Sequence, residues 1–378
     1  MPPIPSARLP WIDHLRTLAI SLVVNLHACV TYSHVGSWYV NSEQKPSPAA
    51  SVPFIIWEAL LQSFFMGLLF FISGYFAHFS LARRGSRSFV LGRFHRLGLP
   101  ALFYMLVIHP FILLGLNPWH YHFGPAPAYY LKFIRTGRWL GASGPLWFVI
   151  ALLVFSLVLA GWRALRPATA ASSPVQAPAA GKICGFAAVL GLATFLVRLI
   201  QPLGTNVLNM QLGYFVQYIA LFAAGVAAAR RGWLAELASS PPARRAGWIA
   251  LIGGPVALLA ILALGYQGGT EAFAGGWHWP AFCLALWEQF TGIGLSLGLL
   301  ALFSRKLNRD GPVLRWLADR SFAVYVLHAP VLVALTMAFR ALPQQLYLLA
   351  ALLTMTGLAV TYALADLARR VPGVRAIL

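Results

Sequence analysis

Apolar residues recur along the chain in ten stretches that are separated by polar, basic or aromatic connections. Each stretch holds about twenty residues, and an α-helix of that length crosses a hydrocarbon core of about 30 Å. The predicted spans are residues 14–33, 54–79, 98–116, 146–163, 183–202, 211–230, 247–266, 280–303, 320–340 and 345–367. The pattern therefore predicts an all-α fold, a polytopic transmembrane helical bundle of about ten spans.

Composition and charge agree with a membrane protein and give it an orientation. Only 10% of the 378 residues are charged, whereas soluble proteins carry about a quarter. The net charge of +19 would suit nucleic acid, but the basic residues form short clusters between apolar runs, so we expect no nucleic-acid partner. Most lie in alternate connections, which by the positive-inside bias places both termini in the cytoplasm.

One polar stretch, "RPATAASSPVQAPAAGK" (166–182), has the composition of a flexible linker. We expect a single transmembrane acyltransferase domain, and its assignment as an acyltransferase rests on the resemblance given below. The predicted parts are a domain at 1–370 with spans 1–4 at 14–163, a cytoplasmic linker at 164–182, spans 5–10 at 183–367, and a short basic cytoplasmic tail at 368–378.

The first span carries a polar stripe. Arg16 and His27 are eleven residues apart, which places them about 20° apart around a helix and about 16 Å apart along it. Asp13 precedes Arg16 by three residues and is positioned to orient the guanidinium group. The plainer alternative is that Arg16 reaches the interface while His27 hydrogen-bonds a neighbouring helix.

Further ionisable side chains sit at or inside other spans. Arg93 and Arg96 lie three apart at a helix entrance, and paired guanidinium groups suit phosphate, although plain positive-inside charge explains them equally well. Tyr325 and His328 are also three apart and share a helix face in the ninth span.

Two carboxylates, Glu58 and Glu288, lie inside spans, and Arg198 is a candidate buried partner for either. We favour a structural role for these three, because buried charges need partners. Glu58 is retained as a candidate substrate-binding residue, as is Trp147 in "SGPLWFV" (143–149).

Two connections on the side opposite the basic clusters are rich in aromatic residues. We consider them a candidate sugar-binding platform, although an interfacial aromatic belt is the simpler explanation. The residues concerned are Trp119, His120, Tyr121 and His122 in one connection, and Trp277, His278 and Trp279 in the other.

Several short motifs in a fixed order resemble integral-membrane acyltransferase family 3, over about residues 8–370. They are Arg16 with ten residues before His27, "FFISGYF" (70–76), "RFHR" (93–96), "PLWF" (145–148) and "YVLH" (325–328). Within that family, "IDHLR", "WYVNS", "FISGYF" and "RLGLP" look most like the branch of osmoregulated periplasmic glucan succinyltransferases.

The resemblance implies transfer of an acyl group, succinyl or acetyl, from cytoplasmic acyl-CoA to a hydroxyl of a periplasmic or cell-envelope carbohydrate. The expected location is the bacterial inner membrane. It implies that Arg16 and His27 are essential and that Arg93 and Arg96 matter; Arg84 is a further candidate for the CoA phosphates. Acyl-CoA is then a substrate, and we expect no tightly bound cofactor or metal. A homo-oligomer is one expected state.

His27 would act as general base, or would carry the acyl group covalently; we favour direct transfer. Tyr325 or His328 would assist by a hydrogen bond to the thioester oxygen. The stretch "SFFMGLLFF" (63–71) departs from many family members, which have a proline or charged residue there, so the acceptor pocket is expected to differ.

Two other classes of protein remain open. A proton-coupled transporter or flippase would use His27, Glu58 and His328 as a relay, but the chain lacks the inverted repeats of many transporters. A purely structural membrane scaffold would leave the intramembrane histidines unexplained.

Overall fold

The computed structural model describes residues 8–116, 125–166, 176–343 and 345–378, and this part of the chain is built from helices without a β-strand. Ten long helical segments, α1 to α10, correspond to the ten predicted spans. Their bounds are α1 Pro10–Ser33, α2 Pro48–Arg93, α3 94–116, α4 Trp147–Leu165, α5 Ala180–Arg198, α6 Phe215–Arg231, α7 Pro241–Gly265, α8 Trp279–Lys306, α9 Pro312–Ala338 and α10 Leu346–Ala368.

Within the described residues, nine helical runs are long and apolar enough to cross a membrane, because α2 and α3 form one run, Pro48–Leu116, of 69 residues. The run is broken at Gly85, whose φ of 72° and ψ of 164° are not helical. Positive φ is freely accessible to glycine, so this residue lets the chain turn between the second and third spans. The α3 segment alternates α and π turns around Pro100 and Pro110.

Close helix packing explains the small residues of "FFISGYF". A Cβ atom on Gly74 would collide with the backbone carbonyl oxygen of Phe222 in α6, and one on Gly225 of α6 would collide with the carbonyl oxygen of Phe71. Small residues allow helix backbones to approach this closely, which is a main source of helix association in lipid. The motif therefore fixes α2 against α6.

One end of the bundle, here called the basic end, collects the charged residues. Arg8 donates to Asp13 at 2.6 Å and to Asp319 at 3.0 Å, and the hydrogen bond from Asp13 raises the pKa of Arg8. Arg320 of α9 donates to Asp366 of α10 at 2.7 Å. The basic clusters predicted to share one side of the membrane thus meet at one end of the molecule; which side that end faces stays a prediction.

At the opposite end, the connection 34–47 folds back over α1. His34 adopts a left-handed conformation with φ of 57°, and its Nε2 lies 3.1 Å from Ser42 Oγ. The Ser42 backbone N–H donates to Thr31 O at 2.8 Å, and Val40 is buried. These contacts bring the side chains between them, including Trp38, onto the end of α1.

Candidate functional site

Three aromatic rings from separate parts of the chain meet around His27. The Trp38 ring lies 3.9 Å from the His27 ring, with an angle of 15° between their planes. The His328 ring of α9 lies 5.4 Å from His27 and 6.2 Å from Trp38, again nearly parallel. The centroids form a triangle rather than a column. Because α1 is continuous from Pro10 to Ser33, His27 stays on the same helix face as Arg16.

Each of these three rings carries a buried nitrogen that has no hydrogen-bond partner among the described residues: His27 Nδ1, Trp38 Nε1 and His328 Nε2. His328 Nδ1 lies 2.7 Å from the backbone oxygen of Tyr325, which can only accept, so Nδ1 carries a hydrogen. Neutral His328 therefore presents a lone pair at Nε2. Unpartnered buried polar atoms are rare in native proteins and are typical of functional sites.

A hydrogen-bonded group of side chains adjoins this triangle, and it was not predicted from the sequence. The Tyr39 hydroxyl lies 3.1 Å from the Tyr104 hydroxyl and 2.8 Å from His109 Nδ1. A Cβ atom on Gly144, whose φ is 46°, would meet the hydroxyls of both tyrosines. Tyr104 and His109 belong to α3, so the irregular third span reaches the site.

The turn that contains "SGPLWF" is held from two further directions. Tyr325 donates its hydroxyl hydrogen to the backbone oxygen of Pro145. Asn209 donates from Nδ2 to Gly144 O at 2.8 Å and to Ser143 Oγ at 3.1 Å. Because the Tyr325 hydrogen is engaged by Pro145, the geometry favours a positioning role for Tyr325 over the predicted contact with a thioester oxygen.

The predicted phosphate-binding arginines lie together at the basic end. Arg16 forms an ion pair with Asp13 at 3.6 Å, as the spacing predicts, and its side chain keeps 42% of its surface exposed. Arg93 lies within electrostatic range of Arg16, Arg84 and Arg96. Arg84 also lines an open groove of about 670 Å³, whose other lining residues are Gly85, Ser86, Arg87, Ser88, Leu91, Gly92 and His95.

The membrane-embedded carboxylates occupy two different environments. Arg198 Nη2 donates to Glu288 at 2.6 Å inside the bundle, so Glu288 is its partner. Glu58 instead interacts with Cys29 and Ser33 of α1. Those two residues lie about 200° and 240° around α1 from His27, on the other side of the helix.

The aromatic candidates for an acceptor platform are dispersed. Trp147 stacks on Tyr218 with a centroid separation of 5.5 Å, within the bundle. Trp277 is 81% exposed and packs edge-on against Phe195 of α5, and Trp279 is 51% exposed. Trp119 and His120, with Tyr121 and His122, lie outside the described residues.

The sequence reading missed Trp38, Tyr39, Tyr104 and His109. The first two belong to the motif "WYVNS", which was noted without a role for its side chains. Tyr104 and His109 are single polar residues in an apolar run, and no short-range pattern links them to Tyr39.

The structure also accounts for polar residues of α1 that have no catalytic assignment. Asn25 accepts from Trp57 Nε1 at 2.7 Å and donates to Thr354 Oγ1 at 3.1 Å, which ties α1 to α2 and α10. His14 Nδ1 lies 2.9 Å from Leu307 O. These contacts give Asn25 and His14 structural roles.

The helical spans and the buried polar centre define a multi-pass membrane protein. Comparison with known families adds the class of chemistry, because the family described as "Acyltransferase domain" matches residues 9–367. The chain belongs to this acyltransferase family, and it is a membrane acyltransferase.

The curated relatives that the chain resembles include glucans biosynthesis protein C from three Escherichia coli strains: K12 / DH10B, O1:K1 / APEC and O157:H7 EC4115. Each is 28% identical over 158 residues, which are 41% of this chain and 39% of the relative. The match thus spans about two fifths of the relatives' length. No solved structure matches the chain.

Proposed function

We propose that the protein transfers an acyl group from acyl-CoA, bound at the basic end, to a hydroxyl of a cell-envelope carbohydrate at the opposite end. The observation that carries the proposal is the meeting of His27 and His328, both with unpartnered buried nitrogens, about 16 Å along α1 from the Arg16 cluster. Donor-binding charge and a catalytic base are thereby placed on one helix face.

The donor side is argued from charge. Coenzyme A carries several phosphates, and guanidinium groups bind phosphate through charge-assisted hydrogen bonds. Arg16, Arg84, Arg93 and Arg96 supply these groups within one electrostatic neighbourhood. With the phosphates held there, the thioester arm would extend along the Arg16 face of α1 towards His27. In this orientation the basic end faces the cytoplasm, in keeping with the positive-inside bias.

The transfer step is argued from the imidazole chemistry. A neutral His27 accepts the proton of the acceptor hydroxyl while the oxygen attacks the thioester carbon, which is general base catalysis. His328, with its lone pair at Nε2, is placed to orient the hydroxyl. We favour direct transfer over an acyl-histidine intermediate, since the parallel Trp38 ring covers one face of His27.

A proton relay through His27, Glu58 and His328 finds less support in this geometry. His27 and His328 are neighbours, but Glu58 faces Cys29 and Ser33 on the other side of α1. A relay needs groups within hydrogen-bond reach of one another or of a shared water. Enzyme chemistry is therefore the better explanation of the histidine pair.

The acceptor is inferred from the relatives. Their name, glucans biosynthesis protein C, points to a glucan, and a succinyl or acetyl group is the expected cargo. We propose a periplasmic glucan as acceptor and the bacterial inner membrane as location.

The experiment uses the purified chain in detergent, with labelled acetyl-CoA or succinyl-CoA and a linear or cyclic glucan. We expect the wild type to label the glucan, and His27→Ala to transfer about 10² to 10⁴ times more slowly, the usual contribution of a general base. His78→Ala is the matched control, because it removes a half-buried imidazole of α2 that lies elsewhere. Its rate should stay close to that of the wild type.

Two outcomes would contradict the proposal in different ways. A wild type that neither binds acyl-CoA nor releases its acyl group with either donor would exclude the proposed donor. Normal transfer by His27→Ala would leave the acyltransferase class standing but exclude His27 as the base.

A further inference from the structure

The indole of Trp38 presents a hydrogen-bond donor beside the proposed base, and nothing in the described part of the chain accepts from it. Its Nε1 is buried and unpartnered, although the ring is tightly stacked on His27. Other buried indoles here have acceptors: Trp287 Nε1 donates to Gly254 O at 2.7 Å. An indole N–H can only donate, so an acceptor atom is what the site is suited to receive.

The neighbouring groups do not offer an equivalent donor. The Tyr325 hydroxyl hydrogen is used by Pro145 O, and neutral His328 carries its hydrogen on Nδ1, where the backbone oxygen of Tyr325 accepts it. His27 is the group that must take a proton. Trp38 is therefore the group of this ring cluster best suited to stabilise negative charge on oxygen.

We propose that Trp38 is a catalytic residue whose Nε1–H donates to the thioester carbonyl oxygen and stabilises the oxyanion formed during transfer; this inference rests on the proposed acyl-CoA-dependent function. A preorganised donor in a site without bulk water contributes strongly, because it interacts with the charge that develops in the transition state.

The step balances without a further reactant. The acceptor oxygen forms a bond to the thioester carbon, its proton passes to His27, and the carbonyl π electrons move to the oxygen that Trp38 contacts. When the carbonyl re-forms, the carbon–sulfur bond breaks. The thiolate takes the proton from His27 and leaves as CoA thiol, which returns His27 to its neutral form.

The ring face has a second use in the same step. His27 becomes an imidazolium for the lifetime of the tetrahedral species, and the negative face of an indole attracts a cation positioned over it. The 3.9 Å separation and the 15° angle place the two rings in this arrangement. Contacts of the 34–47 connection, including that of Ser42 with Thr31, hold Trp38 there.

The test separates the N–H group from the ring. Trp38→Phe keeps an aromatic face and removes the donor, and we expect kcat for glucan acylation to fall by about 10² to 10³, as for loss of one oxyanion donor. The affinity for a thioether analogue of acyl-CoA, which has no carbonyl at sulfur, should be unchanged. Trp57→Phe is the matched control, since its indole N–H already has Asn25 as its acceptor. Its kcat should remain close to the wild-type value.

If Trp38→Phe does not fold, as judged by its elution and its thermal unfolding in detergent, the isosteric replacement of Trp38 by 3-benzothienylalanine substitutes sulfur for the N–H and keeps the ring. A wild-type kcat in a folded variant lacking the N–H would overturn the assignment, and so would a loss confined to analogue binding. Both results require an active wild type, whereas a wild type inactive with every acyl-CoA contradicts the proposed function itself.

Discussion

The buried ion pair between α5 and α8 permits a quantitative test of how the second half of the bundle is stabilised. The Arg198 side chain is 0% exposed and that of Glu288 is 6% exposed, with Nη2 and Oε2 2.6 Å apart. Arg198 Nε also donates to Gly213 O at 3.2 Å, and its guanidinium lies 5.0 Å from the Tyr214 ring centroid. Arg198 Nη1 and Glu288 Oε1 lack partners in the described residues. The pair is thus well desolvated but incompletely hydrogen-bonded.

Glu288→Gln keeps the size of the side chain and leaves the guanidinium charge buried without its carboxylate. Breaking one partner of a buried pair costs about 3–5 kcal/mol of unfolding free energy. Replacing both partners by apolar residues, as in Arg198→Met with Glu288→Leu, removes two incompletely satisfied groups. That double variant is expected to be within reach of wild-type stability, since such replacements are often neutral or stabilising by about 1–4 kcal/mol.

The assay is reversible unfolding of each purified variant in mixed micelles with increasing SDS fraction, followed by circular dichroism. Acyl transfer per folded molecule is measured in parallel and should be unchanged, because the pair makes no contact with the His27 ring cluster in the described structure. A Glu288→Gln cost below about 1 kcal/mol, or a double variant as unstable as the single one, would refute the reasoning from desolvation.

Two further predictions concern helix packing. Gly74→Ala places a methyl group against the backbone of α6 and should cost about 1–3 kcal/mol in the same unfolding assay, whereas Gly253→Ala, which has open space around it, should be neutral or slightly stabilising; equal effects would contradict the packing argument. Asn25→Leu removes one acceptor and one donor between helices and should lower stability by about 1 kcal/mol with transfer activity retained; a loss of transfer in a stable Asn25→Leu protein would instead give Asn25 a place in the reaction.

The periodic features of the molecule were readable from the sequence. Apolar runs of membrane-spanning length predicted all ten helical segments, because a helix in lipid must be long and apolar over its whole length. The shared face of Arg16 and His27 followed from helix geometry, and so did the ion pair of Arg16 with Asp13. The break at Gly85 was missed because a loop and a turned helical run share the same basic composition.

The membership of the site was decided by tertiary structure. Trp38 reaches His27 because the 34–47 connection folds back, and His328 arrives from a helix some three hundred positions later. Tyr104, His109 and Tyr39 meet through hydrogen bonds between α3 and the same connection. Such contacts depend on loop paths and helix neighbours, which leave no periodic signal along the chain.

The two levels divide along a physical line. Lipid solvation acts on every residue according to its position on a helix, so the sequence by itself determined which segments span the membrane and which face carries Arg16 and His27. Hydrogen bonds and ring contacts act between particular pairs brought together from distant segments. Only the folded chain therefore decided that Glu288 rather than Glu58 pairs with Arg198, and that an unpartnered indole N–H lies beside His27.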